Sequence, residues 1–229
     1  MPVTRILIVA GSDSGGGAGI QADIKTVTLL GGHAMTAITA ITAQNTLGVT
    51  DVHAIPADSV IAQIDAVASD IGVDAVKIGM IGSPDTAARV ADRLCRPDLA
   101  GVPVVFDPVM IATSGSRLAS AETIAVFGDL MRRATLSTPN LDELGALAGL
   151  TLSDEASVAS AASGLIDRLG GGAILATGAE LGAGELSDLL FEGSATEASC
   201  RWSAPCWRAS APVPYRSRRN RHRPSNRCA

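Results

Sequence analysis

Short apolar runs alternate with helical repeats of apolar residues along the first two hundred positions of the chain. Runs that are rich in β-branched residues and bounded by glycine or polar clusters predict buried strands. We expect strands at residues 5–10, 35–42, 49–55, 75–78, 102–106, 136–138, 173–176 and 186–191. Apolar residues three or four positions apart, such as Ile20, Ile24 and Val27, predict helices. We expect helices to begin near residues 20, 58, 83, 120, 140 and 154.

Repeated strand–helix units of this kind predict an α/β fold, with a mostly parallel central sheet and helices on both faces. The alternation runs without an internal repeat or a linker as far as residue 200, so we expect one domain over residues 1–200. Residues 201–229 contain eight Arg and no acidic residue, whereas residues 1–200 hold 10 Lys and Arg and all 23 Asp and Glu. We therefore expect a basic, unstructured tail over residues 201–229.

Hydropathy, cysteine content and charge argue against a membrane-spanning, disulfide-bonded or nucleic-acid-binding protein. The mean hydropathy is +0.30, yet the apolar runs are far shorter than the roughly 18 to 20 residues that span a bilayer. Only Cys95 lies before residue 200, so the domain needs no disulfides. The sequence predicts a cytoplasmic protein with no membrane partner. A basic tail suits nucleic acid or anionic lipid, but this one is proline-rich and shows no groove-fitting helix, so we expect no nucleic-acid partner.

Four polar clusters follow predicted strands, at the edge of a parallel sheet where ligands bind. They lie at residues 11–19, 44–46, 106–110 and 138–143. The first is glycine-rich and precedes a helix, which suits an anionic ligand; the alternative is a flexible strand–helix connection. It is not a Walker A loop, because no Lys-Ser or Lys-Thr pair follows its last glycine.

The other three clusters carry candidate binding side chains, each with a structural alternative. The amide of Gln44 suits a heterocycle, although an ordinary polar turn would look the same. Asp107 suits a magnesium site or a turn before proline. Asn140 and Glu143 lie one helical turn apart, which suits a shared metal or, equally well, a helix N-cap with a capping-box glutamate. Asp23 alone would be a solvated helix residue.

Several of these stretches together resemble a known family. They are AGSDSGGGAGIQADIKT at 10–26, TAITAQNT at 39–46, KIGM at 77–80 and TPN at 138–140. They resemble the hydroxymethylpyrimidine/phosphomethylpyrimidine kinases of thiamine biosynthesis, which have the ribokinase-like fold. The resemblance implies that ATP and Mg²⁺ are used to phosphorylate 4-amino-5-hydroxymethyl-2-methylpyrimidine and then its monophosphate. It also implies a homodimer.

The resemblance assigns residues to two sides of one site. On the pyrimidine side, Gln44 is implied to recognise the ring, and further lining residues are implied at Gly11, Asp23 and Met80. The nucleotide side is implied to use Asp107, Asn140 and Glu143. Of these, Asp107 and Glu143 are the implied magnesium ligands.

The C-terminal part departs from the family pattern. The family's His-Gly-Thr-Gly-Cys-Thr segment, which supplies an anion hole and a cysteine near the substrate hydroxyl, has no match here, so the catalytic residue is unassigned. Residues 182–185 imitate the Gly-Ala-Gly-Asp of other ribokinase-like enzymes but are expected to form a hairpin turn. The tail has a composition typical of translation in a wrong reading frame. We therefore expect impaired kinase activity, with a pyridoxal-type vitamin kinase or a non-catalytic pyrimidine-binding remnant as alternatives.

Overall fold

The predicted strands and helices all form, and the strands join into one sheet. The structure is a computed structural model that describes residues 3–111, 115, 118–170, 172–180, 186–193 and 195–198. The strands in these ranges are β1 (Arg5–Asp13), β2 (His33–Asn45), β3 (Gly48–Ala54), β4 (Ala75–Ile78), β5 (Val104–Phe106), β6 (Leu136–Ser137), β7 (Ala173–Glu180), β8 (Leu186–Glu192) and β9 (Ala195–Ala198). The helices are α1 (Gly19–Leu29), α2 (Ala57–Asp70), α3 (Pro84–Arg93), α4 (Ala121–Arg133), α5 (Leu141–Ala148) and α6 (Glu155–Leu169).

The sheet is parallel at its centre and antiparallel at both edges. Its strand order is β3-β2-β1-β4-β5-β6-β7-β8-β9. The neighbours from β2 to β7 all pair in parallel, whereas β3, β8 and β9 join in antiparallel fashion. The prediction of a mostly parallel sheet is confirmed. The carboxyl ends of β1, β2, β4, β5 and β6 consequently meet along one edge, which is where a ligand site is expected.

Two strands extend beyond their apolar runs. β1 continues to Asp13 and β2 to Asn45, so the first residues of the predicted glycine loop belong to a strand. The extension follows from pairing, because Asp13 remains opposite Thr42 after an irregularity near Ser12. β9 was missed, since its short run of small and polar residues carries no strand pattern. The predicted turn at 182–185 and the predicted tail at 201–229 lie outside the described residues.

The larger core lies on the face of the sheet that helices α2, α3, α4 and α6 cover. Buried residues of β1 and β4, including Leu7 and Ile78, belong to this core. Phe106 of β5 meets Phe127 of α4 edge to face, with ring centroids 5.3 Å apart. Buried aromatic pairs in this geometry stabilise a fold beyond their area burial. The strands whose ends carry polar residues are therefore held in place by packing against this core.

The opposite face is packed against α1. Ile20 of α1 closes a smaller core over Ile8 and Ala10 of β1. Lys77 of β4 and Val105 of β5 lie on this same face, because they follow Ile8 in register. Helices therefore lie on both faces, as predicted. Among the described residues, no helix is both long and apolar enough to cross a membrane.

Candidate active site

A cavity of about 390 Å³ opens at the carboxyl edge of the sheet, between the end of β1, the start of α1 and the turns after β4, β5 and β6. It brings together every residue that the resemblance assigned to a binding site. These residues are Gly11, Asp23, Gln44, Met80, Asp107, Asn140 and Glu143. They come from six separate parts of the chain, so their convergence is a product of the fold and not of sequence proximity.

The glycine-rich segment is organised around a carboxylate of its own. Asp13 is only 5% exposed, and its two carboxylate oxygens accept hydrogen bonds from the backbone N–H groups of Gly15 (2.7 Å), Gly17 (2.9 Å) and Ala18 (2.8 Å). The segment was expected to offer its N–H groups to an anionic ligand. For these three groups that expectation is wrong, because Asp13 already occupies the position that such a ligand would take.

The same segment is fastened to the end of β2. The Ser14 hydroxyl donates to the carbonyl oxygen of Gln44 (2.7 Å) and accepts from the Gln44 N–H (2.8 Å). The Gln44 side chain lies beside Thr42, whose hydroxyl is 3.3 Å from the Gln44 amide oxygen. Gln44 therefore reaches the cavity from a backbone that is held on both of its polar atoms.

Two glycines permit close contacts at the floor of the cavity. Gly19, at the start of α1, has a φ of +54°, and a Cβ there would lie 2.3 Å from the carbonyl oxygen of Gly11. A side chain at Gly11 would lie 3.2 Å from the sulfur of Met80. Only glycine allows the helix to begin so close to β1. These two glycines therefore allow close backbone packing and also leave space for a ligand.

A charged cluster occupies the middle of the cavity. The ammonium of Lys77 donates to a carboxylate oxygen of Asp23 at 2.9 Å, and both side chains are largely shielded from solvent. Asp107, at the end of β5, lies close enough to feel both charges. Burial raises the pKa of Asp107 above its ordinary value; Lys77 opposes this shift and Asp23 adds to it. Because burial is the largest of these effects, the negative charge of Asp107 is costly unless a cation approaches.

Asn140 and Glu143 form a capping box at the start of α5. The Asn140 side chain accepts from the Glu143 N–H (2.9 Å), and the Glu143 carboxylate accepts from the N–H groups of Asn140 (3.0 Å) and Met110 (3.2 Å). Burial raises the pKa of Glu143, these two backbone hydrogen bonds lower it, and nearby Asp107 and Asp142 raise it further. The capping alternative is therefore realised in the structure, and it leaves both side chains lining the cavity.

The residues present fit a hydrated divalent cation better than a protein-only metal cage. Within the described part of the chain, no group of three or more His, Cys, Asp or Glu could enclose a metal ion. Mg²⁺ usually takes one or two carboxylates and completes its shell with water and phosphate oxygens. Asp107 and Glu143 match this requirement: Glu143 is buried and Asp107 is partly buried, and at both positions burial raises the pKa of a carboxylate whose charge a cation would compensate.

Lys77 is a cavity residue that sequence reasoning did not single out as a ligand contact. Lys77 is the only charged residue in the four-residue strand β4, and a charge inside a buried strand was the available signal. Asp13 lies inside the glycine-rich cluster, where its role depends on hydrogen bonds that the sequence does not show. No cysteine is among the described residues that line the cavity, and Cys95 lies exposed just after α3.

Comparison with known proteins gives one consistent family. Residues 13–204 match the family model described as phosphomethylpyrimidine kinase. The chain is 47% identical over 195 residues to the hydroxymethylpyrimidine/phosphomethylpyrimidine kinase of Mycobacterium bovis, covering 84% of this chain and 70% of that protein. It is also 47% identical to a thiamine biosynthesis bifunctional protein of Geobacter sulfurreducens, over 85% of this chain but only 39% of that longer protein.

Solved structures give the same fold. The phosphomethylpyrimidine kinase of Clostridium difficile superposes with a TM-score of 0.75 at 37% identity, over 82% of this chain and 80% of that one. The pyridoxal kinase of Bacillus subtilis, solved as an ADP complex, superposes with a TM-score of 0.77 at 32% identity, over 88% of this chain and 76% of that one.

Proposed function

The chain belongs to the phosphomethylpyrimidine kinase family, and we propose that it transfers phosphate from ATP to 4-amino-5-hydroxymethyl-2-methylpyrimidine and then to the resulting monophosphate. The observation that carries the proposal is the convergence of all the family-matched residues on one cavity at the carboxyl edge of the sheet. Identity of 47% to kinases that are named for these two substrates supports it.

In this proposal the pyrimidine lies between Gln44 and Met80. The Gln44 amide offers a donor and an acceptor to the polar edge of the ring, and its orientation is limited by the Ser14 clamp on its backbone. Met80 is 8% exposed and supplies an apolar wall against the ring face. A Cβ at Gly11 would lie 3.2 Å from the Met80 sulfur, so glycine at this position leaves that space free of a side chain. Asp23 closes the pocket from α1.

The nucleotide side lies towards α5 and β7. ATP with Mg²⁺, when bound, supplies the transferred phosphoryl group and the charge that balances it. Asp107 and Glu143 would hold the metal, and Asn140 with Thr177 lines the rest of that side. Phosphoryl transfer depends mainly on positioning and on neutralisation of charge. These side chains provide positioning because each is fixed by a strand end or by the capping box.

Pyridoxal phosphorylation is the second candidate, and the superposition on pyridoxal kinases favours keeping it. The test is to incubate the purified chain with MgATP and either the pyrimidine or pyridoxal, and to identify the phosphorylated product by mass spectrometry. We expect the pyrimidine monophosphate and then the diphosphate. Phosphorylation of pyridoxal alone would replace the proposal with the second candidate. Binding of the pyrimidine without any turnover would indicate a non-catalytic binding protein.

We further propose that turnover by this chain is slow. The family match ends at residue 204, and residues 205–229 read as an arginine-rich segment without the glycine-rich anion hole. Loss of a single preorganised donor of that kind costs about 100- to 1,000-fold in turnover. The matched comparison is the Mycobacterium bovis kinase in the same ATP-consumption assay. Equal turnover numbers would contradict this proposal.

Assembly and location are two further parts of the proposal. We propose a homodimer, which fits the exposed antiparallel edge strand β3, and sedimentation of the purified chain tests it. Because the reaction consumes ATP, we place it in the cytoplasm. We also propose that residues 1–200 form the kinase domain and that residues 201–229 form a basic tail outside it.

A further inference from the structure

The cavity is rich in acidic groups and poor in basic ones. Its described lining contains four carboxylates, namely those of Asp13, Asp23, Asp107 and Glu143. In that same set of residues, Lys77 is the one cation. The proposed second substrate is a phosphate monoester, which is an anion at neutral pH. A cavity with this lining would repel such an anion unless a positive charge were placed to receive it.

Two of the carboxylates already have backbone partners. Asp13 accepts from three N–H groups of the glycine-rich segment, and Glu143 accepts from two N–H groups at the start of α5 and the end of the β5 turn. Asp23 is different, because its carboxylate partner is the Lys77 side chain. Rearranging that pair breaks no backbone hydrogen bond, so Lys77 is the group that can respond to a ligand.

The position of the lysine allows such a response. An ammonium has three donors, and the contact with Asp23 uses one of them. The lysine nitrogen lies against Gly79, where a Cβ would be 2.9 Å away. Glycine at that position leaves the ammonium beside open cavity space. Lys77 and Asp23 are 26% and 21% exposed, so their interaction with a bound charge is less screened than on the open surface.

We propose that Lys77 is the specificity-determining residue for the phosphorylated substrate: its ammonium pairs with Asp23 while the pyrimidine alcohol is bound and donates to the phosphate when the monophosphate is bound. This inference rests on the proposed function, since it concerns the second of the two substrates. It assigns the acceptance of the monophosphate to one side chain. In this proposal Asp23 positions the Lys77 side chain when no phosphate is bound.

The test measures ligand binding and not turnover, so slow catalysis by this chain cannot mask an effect of Lys77. Dissociation constants for the pyrimidine alcohol and for its monophosphate are measured by titration calorimetry without ATP or Mg²⁺. The readout is the ratio of the monophosphate constant to the alcohol constant. For Lys77→Met we expect that ratio to rise about 10- to 100-fold, the size of one charge-assisted hydrogen bond in a partly buried site. Lys77→Arg keeps the charge, and its ratio should change less than about threefold.

Asp23→Asn separates a ligand role from a structural one. If the pair only held α1 against β4, removal of either partner would act alike on both ligands. In our proposal the ratio does not rise in Asp23→Asn, because the lysine is released towards the phosphate. Arg89→Met is the matched control: it removes one positive charge from an ion pair with Asp58 that lies outside the cavity. Its ratio should equal that of the wild type.

The outcomes are distinguishable. An unchanged ratio in Lys77→Met, or an equal rise in Asp23→Asn, would overturn the role of Lys77 and leave the kinase proposal intact. Wild-type protein that binds the alcohol but not the monophosphate would also overturn it. Wild-type protein that binds neither compound would refute the proposed function, and the role of Lys77 would be refuted with it.

Discussion

Replacement of Asp13 should loosen the glycine-rich segment at the front of the cavity. In the wild type, one oxygen of Asp13 accepts from Gly15, and the other accepts from Gly17 and Ala18. Asp13→Ala removes all three bonds, and hydrogen bonds to a charged acceptor contribute about 1.5–3 kcal/mol each. Because these N–H groups lie on exposed residues, water recovers part of the loss. We expect the free energy of unfolding to fall by about 2–4 kcal/mol.

Asp13→Asn is the informative intermediate variant. It keeps one carbonyl oxygen, which serves either the Gly15 side or the Gly17 and Ala18 side, but it places an NH₂ group against the remaining donors. We expect a loss of about 1–2 kcal/mol, between the wild type and Asp13→Ala. Urea unfolding followed by circular dichroism gives these free energies. Hydrogen exchange should accelerate at residues 15, 17 and 18 in both variants and stay unchanged in the helices of the large core.

A matched control is Asp92→Ala, which removes an exposed aspartate from helix α3. Its free energy of unfolding should stay within about 0.5 kcal/mol of the wild type, as is usual for surface substitutions. If Asp13→Ala also stays within that range and exchange at the three amides does not accelerate, then the Asp13 carboxylate does not organise the segment.

Three further predictions concern single positions. Asp107→Asn should raise the melting temperature at neutral pH. Burial raises the pKa of Asp107, so ionisation of this carboxyl destabilises the fold as pH rises above the ordinary aspartate pKa. Thermal scans should show the gain in melting temperature vanish below about pH 3, and a gain that persists there would contradict burial as the cause. Gly19→Ala should lower the free energy of unfolding by about 2–4 kcal/mol in urea titrations, because its Cβ meets the Gly11 carbonyl oxygen at a positive φ. Gly164→Ala in α6 is the control, since its Cβ meets open space and the substitution should be neutral or stabilising. Similar effects of the two substitutions would rule out the steric explanation. Gln44→Ala should weaken pyrimidine binding by about 1–3 kcal/mol in calorimetry, and unchanged affinity would remove Gln44 from the site.

The fold was predictable because its strands are short, apolar and β-branched and because four of the six described helices, α3 to α6, begin with a side-chain cap. Ser83 before Pro84 and Asn140 with Glu143 marked helix starts that the structure contains. The ends of β1 and β2 were not predictable, since they depend on pairing between two strands and not on the apolar run of either. β9 was missed for the same reason: its strand character comes from the edge that β8 offers.

The residues of the site were easier to predict than their interactions. Strand ends in a parallel sheet converge, so polar residues after strands, such as Gln44 and Asp107, were expected in one place. The partner of Asp23 was not predictable, because Asp23 lies in α1 whereas Lys77 lies 54 positions away in β4. The hydrogen bonds from three N–H groups to Asp13 were likewise not predictable, since a glycine-rich sequence is the same whether its amides bind a side chain or a ligand.

The Ser14 clamp on Gln44 has a consequence for the thermodynamics of ligand capture. It joins two segments that are 30 positions apart in sequence, and Asp13 fixes one of them from within. The conformational entropy of this wall of the cavity is therefore lost when the chain folds and not when a ligand arrives. Preorganisation of this kind increases affinity by lowering the ordering cost of association. Binding at this wall should accordingly show a small entropic penalty from the protein, and affinity differences among ligands should reflect their own contacts and desolvation.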